Sequence, residues 1–405
     1  MRRTESTLRG SAPSAADDLA EIVREAAARG TPLSVCGQGS KAGLGRHTPT
    51  AESVTTSAMT GVTLYEPEEL VLSARAGTPL AEIAALLDAR GQQLAFEPMD
   101  YGPLLGGAPG AATIGGMVAV NASGSRRIKA GAARDHLLGF SCVTGRGEIV
   151  KSGGRVMKNV TGYDLSKLVC GSFGTLAVLT EVTLKVLPKP ETEQTLIVSG
   201  LAEEAALAAL RLASGAPCEV SSFAVLPNVA PGLPGPVAAL RLEGPAISVA
   251  ARRDDLALRL ADFGGRVETL DAAASRALWT AVRDAAPLAG EGQIWRISTA
   301  PTQGYRFVDA LRRAGAPLLA HFYDWAGGLV WLRLEPAPDA HAGTIRAALA
   351  PLGGHATLVR AGEDIRARVD VFQPQPAALA ALTRRVKDSF DPAHILERGR
   401  MRAEF

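Results

Sequence analysis

Cysteine and histidine are scarce in this sequence, and neither occurs at the spacings typical of metal ligands. The chain has four cysteines and six histidines in 405 residues. The cysteines are far apart, with no CxxC pair: Cys36, Cys142, Cys170 and Cys218. This pattern argues against an iron–sulfur cluster or zinc site supplied by this chain alone, and it favours free thiols in a reducing compartment. Redox chemistry would therefore require a cofactor or a partner.

Long apolar runs and blocks of one charge are also absent. No stretch of 18 apolar residues occurs, and the N-terminal MRRTESTLRGSAPS lacks the apolar core of a secretory signal. The formal net charge is +2, without a basic block, so nucleic acid is not an expected partner. We expect a cytoplasmic protein with no transmembrane segment, and peripheral attachment at the inner face of the membrane through a complex stays open.

Apolar residues and glycine are plentiful. Hydrophobic residues make up 47% of the chain, and 43 glycines and 25 prolines indicate many tight turns. The length predicts two or three domains of ordinary size.

Short helices and strands alternate through the first 190 residues. DDLAEIVREAAARG has an acidic first turn and a glycine beyond its end, which predicts a helix. GTPLAEIAALLDARG predicts another, with Thr78 as N-cap and Pro79 at the first helical position. The runs PLSV, ELVLSARAG, HLLGFSCVT and GTLAVLTEVTLKVLP are strand-like. We predict an α+β domain over 1–190, ending at the linker LPKPE.

The second half repeats one order of elements. From TLIVS to RVETL, and again from QIWRIST to HATLVR, the pattern reads βαββαβ. Two such ferredoxin-like units predict one antiparallel sheet with helices on one face. We therefore predict an α+β cap domain over 191–405, including a last helix and a tail.

The loop SVCGQGSKAGLG fits a dinucleotide fingerprint only superficially. Glycines at 37 and 39 and an alanine at 42 match GxGxxA, but that fingerprint needs an immediate helix and an acidic residue about twenty positions later. Further glycines and a proline interrupt any helix here, and the acid is missing. A phosphate-cradling loop and an ordinary glycine-rich turn remain as alternatives.

Two more segments are rich in small residues. ATIGGMVAVNASG carries almost no side-chain chemistry, and GSFGTLAVLTEV places two glycines before a strand. Glycine has no Cβ to obstruct a ligand, so backbone can approach closely. Together the three segments predict a long groove for an extended ligand with a pyrophosphate in its middle.

These segments resemble a known family in their order and wording. CGQGSK, ATIGGMVAVNASG and GYDLSKLVCGSFGTLAVLTEVTLKVLPKP resemble the FAD-binding domain of the vanillyl-alcohol-oxidase/p-cresol-methylhydroxylase (PCMH) type. GAARDHLLGFSCVTGRGEIVKSGGRVMKNVTGYDLSKL more particularly resembles the E subunits of glycolate oxidase (glycolate dehydrogenase). The resemblance is dense from about 34 to 190 and recurs in GQIWRIST and FDPAHIL.

The resemblance implies FAD as cofactor and a set of residues around it. The first loop would face the pyrophosphate from one side, the second from the other, and the third would flank the adenosine with backbone bonds from the following strand. These residues are Gly37, Gln38, Gly39, Ser40, Lys41, Thr113, Ile114, Gly115, Gly116, Asn121, Ser123, Gly124, Gly171, Gly174, Thr175 and Val182.

Two departures from the family qualify what the resemblance implies. Members that tether FAD usually place a histidine in the first loop, where this chain has Ser40. His47 lies past the loop and is expected at the surface, so we predict noncovalent FAD. The tail reads ILERGR instead of the usual Asn-Pro-Gly, which leaves Arg400 as its one candidate flavin contact.

The cap does not supply an evident catalytic pair. Related D-2-hydroxy-acid dehydrogenases carry two histidines in a cap stretch that corresponds to YDWAGGLVW, where Asp324 and Trp331 take their places. Neither side chain replaces an imidazole as base and ligand, so the catalytic residues stay unknown and no metal is expected. His321 is expected to be structural.

Several polar residues have two interpretations. Arg296 and Arg333, on neighbouring strands, could clamp a carboxylate, or they pair with local acids or face solvent. Lys158, Asn159 and Asp164 are expected to make structural hydrogen bonds. Arg134 and Asp135 are expected to form an internal ion pair.

Two functions compete, and the resemblance favours one. It implies an FAD-binding subunit of a multi-subunit glycolate oxidase that converts glycolate to glyoxylate. Its partners would be a larger FAD-containing catalytic subunit and an iron–sulfur subunit. The alternative is a stand-alone FAD-dependent dehydrogenase of a small 2-hydroxy acid. A reductase of the enolpyruvoyl-sugar type does not fit VMKNVTGYD or the doubled βαββαβ cap.

Overall fold

The computed structural model describes residues 9–48, 50, 52–154, 163–227 and 236–405. Lys158 and Asn159 lie outside these ranges, so their expected hydrogen bonds stay predictions. The described part is a mixed α+β structure, as predicted. Its strands form four sheets.

The elements before residue 190 are short, as the many glycines predict. The helices are α1 (Ala16–Arg29), α2 (Leu80–Asp88), α3 (Tyr101–Leu104), α4 (Ile114–Val120), α5 (Arg127–Ala130), α6 (Ala133–His136) and α7 (Leu165–Val169). The strands are β1 (Arg9–Ser11), β2 (Leu33–Cys36), β3 (Glu52–Thr55), β4 (Val62–Glu66), β5 (Val71–Arg75), β6 (Gln92–Gln93), β7 (Leu137–Thr144), β8 (Ile149–Gly153), β9 (Ala177–Lys185) and β10 (Leu187–Pro188).

The elements after residue 190 are longer and follow the repeated order. The strands are β11 (Thr192–Ser199), β12 (Ser222–Leu226), β13 (Val237–Gly244), β14 (Arg266–Leu270), β15 (Gln293–Ser298), β16 (Leu318–Asp324), β17 (Leu329–Leu334) and β18 (His355–Arg360). The helices are α8 (Glu203–Ser214), α9 (Ala246–Leu260), α10 (Ala272–Arg283), α11 (Gly304–Arg313), α12 (Ala342–Leu349), α13 (Glu363–Arg368) and α14 (Ala377–Phe390). Short 3-10 turns cover Ala261–Phe263, Ala286–Leu288 and Trp325–Gly327.

Two main sheets build the first region and give it two α+β subdomains. The parallel sheet β1-β3-β2 packs against α1, and the antiparallel sheet β4-β5-β9-β7-β8 packs against α2 and α4. Strand β10 pairs with β6 in a separate two-stranded ribbon. Because the next strand, β11, joins a different sheet, these pairings support the predicted boundary at 190, which stays a prediction.

The second region is one antiparallel sheet of eight strands in the order β14-β11-β13-β12-β16-β17-β15-β18. Each half has the predicted βαββαβ order, and the halves join where β12 pairs with β16. Helices α8, α9, α11 and α12 cover one face over a single apolar cluster.

The prediction that helices cover only one face is wrong for α10. The Trp279 Nε1–H of α10 donates to Thr195 Oγ1 at 2.8 Å. Thr195 points away from Leu196, which packs under α8 and α9. Trp279 belongs instead to the apolar cluster on the opposite face, between the sheet and the first region.

The start of α2 also differs from its prediction. Pro79 occupies the N-cap position in extended geometry, and no side chain caps the helix. Thr78 is fully buried, and its hydroxyl donates to Arg75 O at 2.7 Å and accepts from Gly61 N. The hydroxyl serves the turn before the helix and is therefore not available as a cap.

The tail returns from the cap region to the first subdomain. Leu33 N donates to Ile395 O at 2.8 Å, and Glu397 N donates to Leu33 O at 3.0 Å. The tail thereby runs parallel to β2 at its edge. Since β2 leads into the first glycine loop, the C-terminus of the chain lies beside that loop.

Candidate functional site

A cleft with about 870 Å³ of empty volume, partly open to solvent, lies where the glycine-rich segments meet. We call it the glycine cleft. Its walls come from the first loop (34–42), the start of α4, the loop before β9, the start of β9 and the tail. Its lining includes Cys36, Gly37, Gln38, Gly39, Ser40, Lys41, Thr113, Gly115, Gly116, Val120, Phe173, Gly174, Val178, Glu397 and Arg400.

The first loop presents backbone donors to the cleft. Across the described ranges, no hydrogen bond uses a backbone N–H from Gly37 to Lys41 as donor. Gly39 has φ +78°, a left-handed conformation that a side chain would strain. Successive unpaired N–H groups in a turn of this kind form a concave site for an anion.

Lys41 is the cation of the cleft. Its Nζ donates to Ser40 Oγ at 3.2 Å, and none of the described residues forms an ion pair with it. Burial lowers the pKa of Lys41 to about 8, opposed weakly by Asp100. The ammonium is therefore charged at neutral pH, and its charge is not neutralised by a carboxylate in contact.

The α4 segment contributes fewer donors than predicted. Ile114 N donates to Thr78 O and Gly115 N to Ala76 O, while Gly116 N donates to Thr113 Oγ1 at 3.3 Å. Ile114 is fully buried in the core and does not line the cleft. Ile114 therefore has a packing role here, and its expected contact with a pyrophosphate stays a prediction.

Gly115 and Gly116 both line the cleft but for different reasons. A Cβ on Gly115 would lie 2.7 Å from Ala76 Cβ, so this glycine permits α4 to pack against the turn after β5. A Cβ on Gly116 would lie 3.1 Å from Thr113 Oγ1 and 3.8 Å from Lys41 Nζ. Gly116 is the position that keeps space open beside the cation.

Three predicted site residues after α4 lie behind the cleft. Asn121 ends α4 in the left-handed conformation, and its Oδ1 accepts from Arg134 N at 3.0 Å. The Ser123 hydroxyl accepts from Ala133 N, and Gly124 N donates to Phe96 O. These bonds fold the segment back on the domain, so its polar groups are used there.

The third segment is divided in the same way. Gly174 lines the cleft, whereas Gly171 N donates to Val118 O and the Thr175 hydroxyl donates to Ser172 O. Val182 is fully buried in β9, paired with Ala74 and Phe140 on either side. Its backbone is used by the sheet, and the lining residues of β9 are 177–179 instead.

The tail supplies two lining residues, and only Arg400 was a candidate. Glu397 is 3% exposed; its carboxylate accepts from Val35 N at 2.6 Å and pairs with Arg400 at 3.4 Å. Burial raises the pKa of Glu397, and Arg400 opposes the shift. Arg400 Nη2 donates to Lys41 O at 3.0 Å. The pair of opposite charges at Glu397 and Arg400, directly after the apolar Ile395 and Leu396, was the available signal.

The cap residues taken as substitutes for catalytic histidines are not arranged as a pair. Asp324 accepts from Ser125 Oγ at 2.6 Å and from Trp325 N at 2.7 Å, and burial raises the pKa of Asp324 to about 7. Trp331 stacks on Phe322 in the apolar cluster. His321 lies 3.3 Å from the carboxylate of Glu203 on the helix-covered side of the sheet.

The two candidate clamp arginines point to different surroundings. Arg333 Nη1 donates to Glu291 O at 2.7 Å, near the loop before β15. Arg296 instead lies over the rings of Trp325 and Trp331, at 5.1 and 5.9 Å from the ring centroids. The structure therefore does not bring Arg296 and Arg333 together around one ligand.

The expected ion pair between Arg134 and Asp135 is not formed among the described residues. Asp135 Oδ2 instead accepts from Ala132 N at 2.9 Å, which caps the short helix α6. Asp164 has the expected structural role, because it accepts from Lys167 N at the start of α7.

Within the described lining of the cleft there is no histidine, and Cys36 is its one thiol. Burial raises the pKa of Cys36, so the thiol is uncharged at neutral pH. His47 lies 3.9 Å from Glu363, partly exposed, as expected for a surface residue.

The described residues contain no group of three or more His, Cys, Asp or Glu side chains that could hold a metal ion. In the same ranges, no helix is both long and apolar enough to cross a membrane.

Comparison with known proteins gives a relative that matches nearly the whole chain. The profile of the FAD binding domain family matches residues 11–153. Glycolate oxidase subunit GlcE of Escherichia coli (strain K12) is 35% identical over 388 residues, which is 95% of this chain and 97% of that protein.

Other similarities are partial in sequence or limited to the fold. Glycolate oxidase subunit GlcD of Bacillus subtilis (strain 168) is 46% identical over 85 residues, covering 21% of this chain and 18% of that protein. A solved structure of 4-ethylphenol oxidase from Gulosibacter chungangensis has a TM-score of 0.72 at 14% identity, covering 98% of this chain and 90% of that one. A structure of alkyldihydroxyacetonephosphate synthase has a TM-score of 0.64 at 16% identity, covering 95% and 76%. These two structures have the same fold as this chain.

Proposed function

The chain belongs to the glycolate oxidase subunit GlcE family of FAD-binding flavoproteins, and from that premise we propose that it is an FAD-binding subunit of a multi-subunit glycolate oxidase. The complex would oxidise glycolate to glyoxylate. The glycine cleft is the observation that carries this proposal, because it combines unpaired backbone donors with one unneutralised cation.

The residues of the cleft fit FAD. An FAD pyrophosphate would meet the N–H groups of 37–41 and the ammonium of Lys41, with room kept by Gly116. Backbone donors and a buried cation are what a pyrophosphate requires. When bound, FAD would supply the hydride acceptor that these side chains lack.

We propose that the FAD is held without a covalent bond. Ser40 occupies the position of the tethering histidine in the first loop, and the described lining holds no imidazole. Cys36 is an uncharged thiol because burial raises its pKa, and a thiol is a much weaker nucleophile than a thiolate.

The proposed partners are a larger FAD-containing catalytic subunit and an iron–sulfur subunit. Cys142, Cys170 and Cys218 are buried and remote from each other in sequence, and Cys36 lies in the cleft. No metal-binding group occurs in the described ranges. Electrons leaving a flavin here would therefore pass to another chain. We further propose that the complex works on the cytoplasmic side of the membrane, where thiols stay reduced.

A glycolate turnover assay with an artificial electron acceptor tests the function. We expect the FAD-loaded chain alone to show no turnover, and the chain co-expressed with its two partners to co-purify with them and turn glycolate over. Substantial turnover by the isolated chain would establish the alternative, a stand-alone dehydrogenase of a small 2-hydroxy acid. Failure to co-purify with either partner would contradict the proposed assembly.

A further inference from the structure

Two arginines from different parts of the chain meet at one indole ring. The guanidinium carbon of Arg127, in α5, lies 4.9 Å from the ring centroid of Trp325. That of Arg296, in β15, lies 5.1 Å from the same centroid. We call Arg127, Arg296 and Trp325 the Trp325 stack.

Neither guanidinium group of the stack has a hydrogen bond or ion pair with another described residue. The internal ranges outside the description, 155–162 and 228–235, contain no Asp or Glu in the sequence. Asp324 is near, but its oxygens accept from Ser125 and from Trp325 N. Among the described residues, therefore, no carboxylate contacts either of the two guanidinium groups at the ring.

This arrangement is costly unless an anion is bound. Burial lowers the pKa of Arg127, and the charge of Arg296 lowers it further. Stacking on an indole uses the face of a guanidinium and leaves its N–H edge available as a fork that matches a carboxylate. The stack thus orients the guanidinium N–H groups of Arg127 and Arg296, but no described residue accepts a hydrogen bond from them.

Two further features of the turn at Trp325 are typical of a ligand site. Trp325 Nε1 is buried without a hydrogen-bond partner among the described residues. An unmade hydrogen bond of this kind destabilises the folded protein. Trp325 and Ala326 both have left-handed backbone, with φ of 53° and 54°. Strain at adjacent non-glycine residues persists where the surroundings impose it, which is common at binding sites.

We propose that the Trp325 stack binds the carboxylate of a small organic acid, with Arg127 and Arg296 as its two cationic contacts. The inference rests on the proposed function, since a 2-hydroxy acid is the small carboxylate that an oxidase of this class meets. It adds that this chain has a carboxylate site of its own. Arg127 comes from the first region and Arg296 from the sheet, so the site lies between them.

The Trp325 stack and the glycine cleft border the same apolar cluster. Tyr101 and Trp325 pack against this cluster. Val120 packs against it as well, and Val120 also lines the cleft. Tyr101 is buried beside Arg296; burial raises the pKa of Tyr101, and the arginine opposes that shift. The phenol is therefore uncharged at neutral pH.

Equilibrium titration of the FAD-loaded full-length chain tests the proposal, with calorimetry and tryptophan fluorescence as readouts. Glycolate and acetate should bind in a saturable way, and the neutral analogue glycolamide should not. Inorganic phosphate serves as the second anion. Weaker binding of phosphate than of the carboxylates supports a carboxylate site, and tighter binding of phosphate would overturn that assignment.

Substitutions identify the site. Arg127→Gln and Arg296→Gln should each raise the glycolate Kd at least about tenfold, as expected for loss of a charge-assisted hydrogen bond. Arg333→Gln is the matched control, because Arg333 lies on the same sheet face but donates to Glu291 O; its Kd should stay within about twofold. Trp325→Phe keeps an aromatic ring but removes the indole. If an arginine variant folds poorly, the glycolate Kd of Trp325→Phe tests the stack instead.

Unchanged glycolate binding in Arg127→Gln, Arg296→Gln and Trp325→Phe would overturn the proposal, as would no binding of glycolate or acetate by chain that holds FAD. Because FAD content and co-purification are measured separately, such a failure would leave the proposed function standing. Loss of FAD itself would count against the proposed function instead.

Discussion

At the scale of single residues, Gly115 and Gly116 show how adjacent glycines serve different purposes. Gly115 has no room for a Cβ because Ala76 packs against it, whereas Gly116 faces the cleft near Lys41. Gly115→Asp would disturb packing as well as any ligand. A substitution at Gly116 is therefore the more specific test of ligand binding.

We predict that Gly116→Asp weakens FAD binding without unfolding the protein. The new carboxylate would lie close to Lys41 and repel the pyrophosphate, so the Kd should rise roughly 100-fold, or about 3 kcal/mol. Gly343→Asp is the matched control, since no atom lies within 4 Å of a Cβ there. Fluorescence titration with FAD and thermal melts check both variants; unchanged affinity in Gly116→Asp would show that the ligand lies elsewhere.

Lys41 should give FAD binding a pH dependence. Burial lowers the pKa of Lys41 to about 8, and a bound pyrophosphate would raise it by favouring the cation. The cation is present below about pH 8 in the free protein, so the Kd should be flat there and rise as pH increases through that value. Lys41→Met should raise the Kd at pH 7 about tenfold. Titrations from pH 6 to 10 measure this, and persistence of the rise in Lys41→Met would refute the assignment.

The sequence predicted part of the site for a physical reason. A loop that offers backbone groups needs glycines in a recognisable order, and 37–41 has that order. It did not predict Glu397, whose bond to Val35 joins residues 362 positions apart. Nor did the sequence indicate that Val182 lies away from the cleft, because the position of Val182 depends on which strands flank β9.

At the scale of elements, the tail after α14 fastens the first loop. Lys387 is 1% exposed, and its Nζ donates to Thr175 O at 2.7 Å, Leu396 O at 3.0 Å and Asp391 Oδ2 at 2.6 Å. Asp391 in turn accepts from Leu396 N. This buried pair fixes the tail where Glu397 and Arg400 reach the cleft.

We predict that Lys387→Met lowers the free energy of unfolding by about 3–5 kcal/mol, because it leaves Asp391 buried without its counter-ion. FAD affinity should fall as well, since the tail holds the first loop. The double variant Lys387→Met/Asp391→Leu removes both charges and should recover much of the stability. Chemical unfolding and FAD titration measure both effects. A loss below about 1 kcal/mol in the single variant would mean that the pair does not fasten the tail.

Elements with a strong local pattern were predictable, and those set by tertiary contacts were not. The two βαββαβ units follow from apolar periodicity. Helix α10 has an apolar face too, but which side of the sheet it covers depends on bonds such as Trp279 to Thr195. Thr78 precedes a proline as an N-cap would, yet the turn at Gly61 and Arg75 uses its hydroxyl.

At the scale of the whole molecule, a buried charge network joins the eight-stranded sheet to the first region. Arg241, on β13, donates to both oxygens of Glu97 at 2.8 and 2.6 Å and is 2% exposed. Arg126 pairs with Glu243 of the same strand. Burial alone would raise the pKa of Glu97, but Arg241 and Arg126 outweigh it and lower the pKa. No local sequence pattern predicts such a network.

The network joins the sheet to the first region beside α5, which carries Arg127 of the Trp325 stack. No described side chain provides a base in the place of the histidine pair. This is the reason for proposing a catalytic partner.

The central claim, that this chain holds its own FAD in the glycine cleft without a covalent bond, is tested most directly by acid precipitation of the purified chain. We predict one FAD per chain, with all the yellow colour released into the supernatant. Flavin retained in the precipitate would contradict noncovalent binding, and a well-folded chain that takes up no FAD would contradict the cofactor site itself.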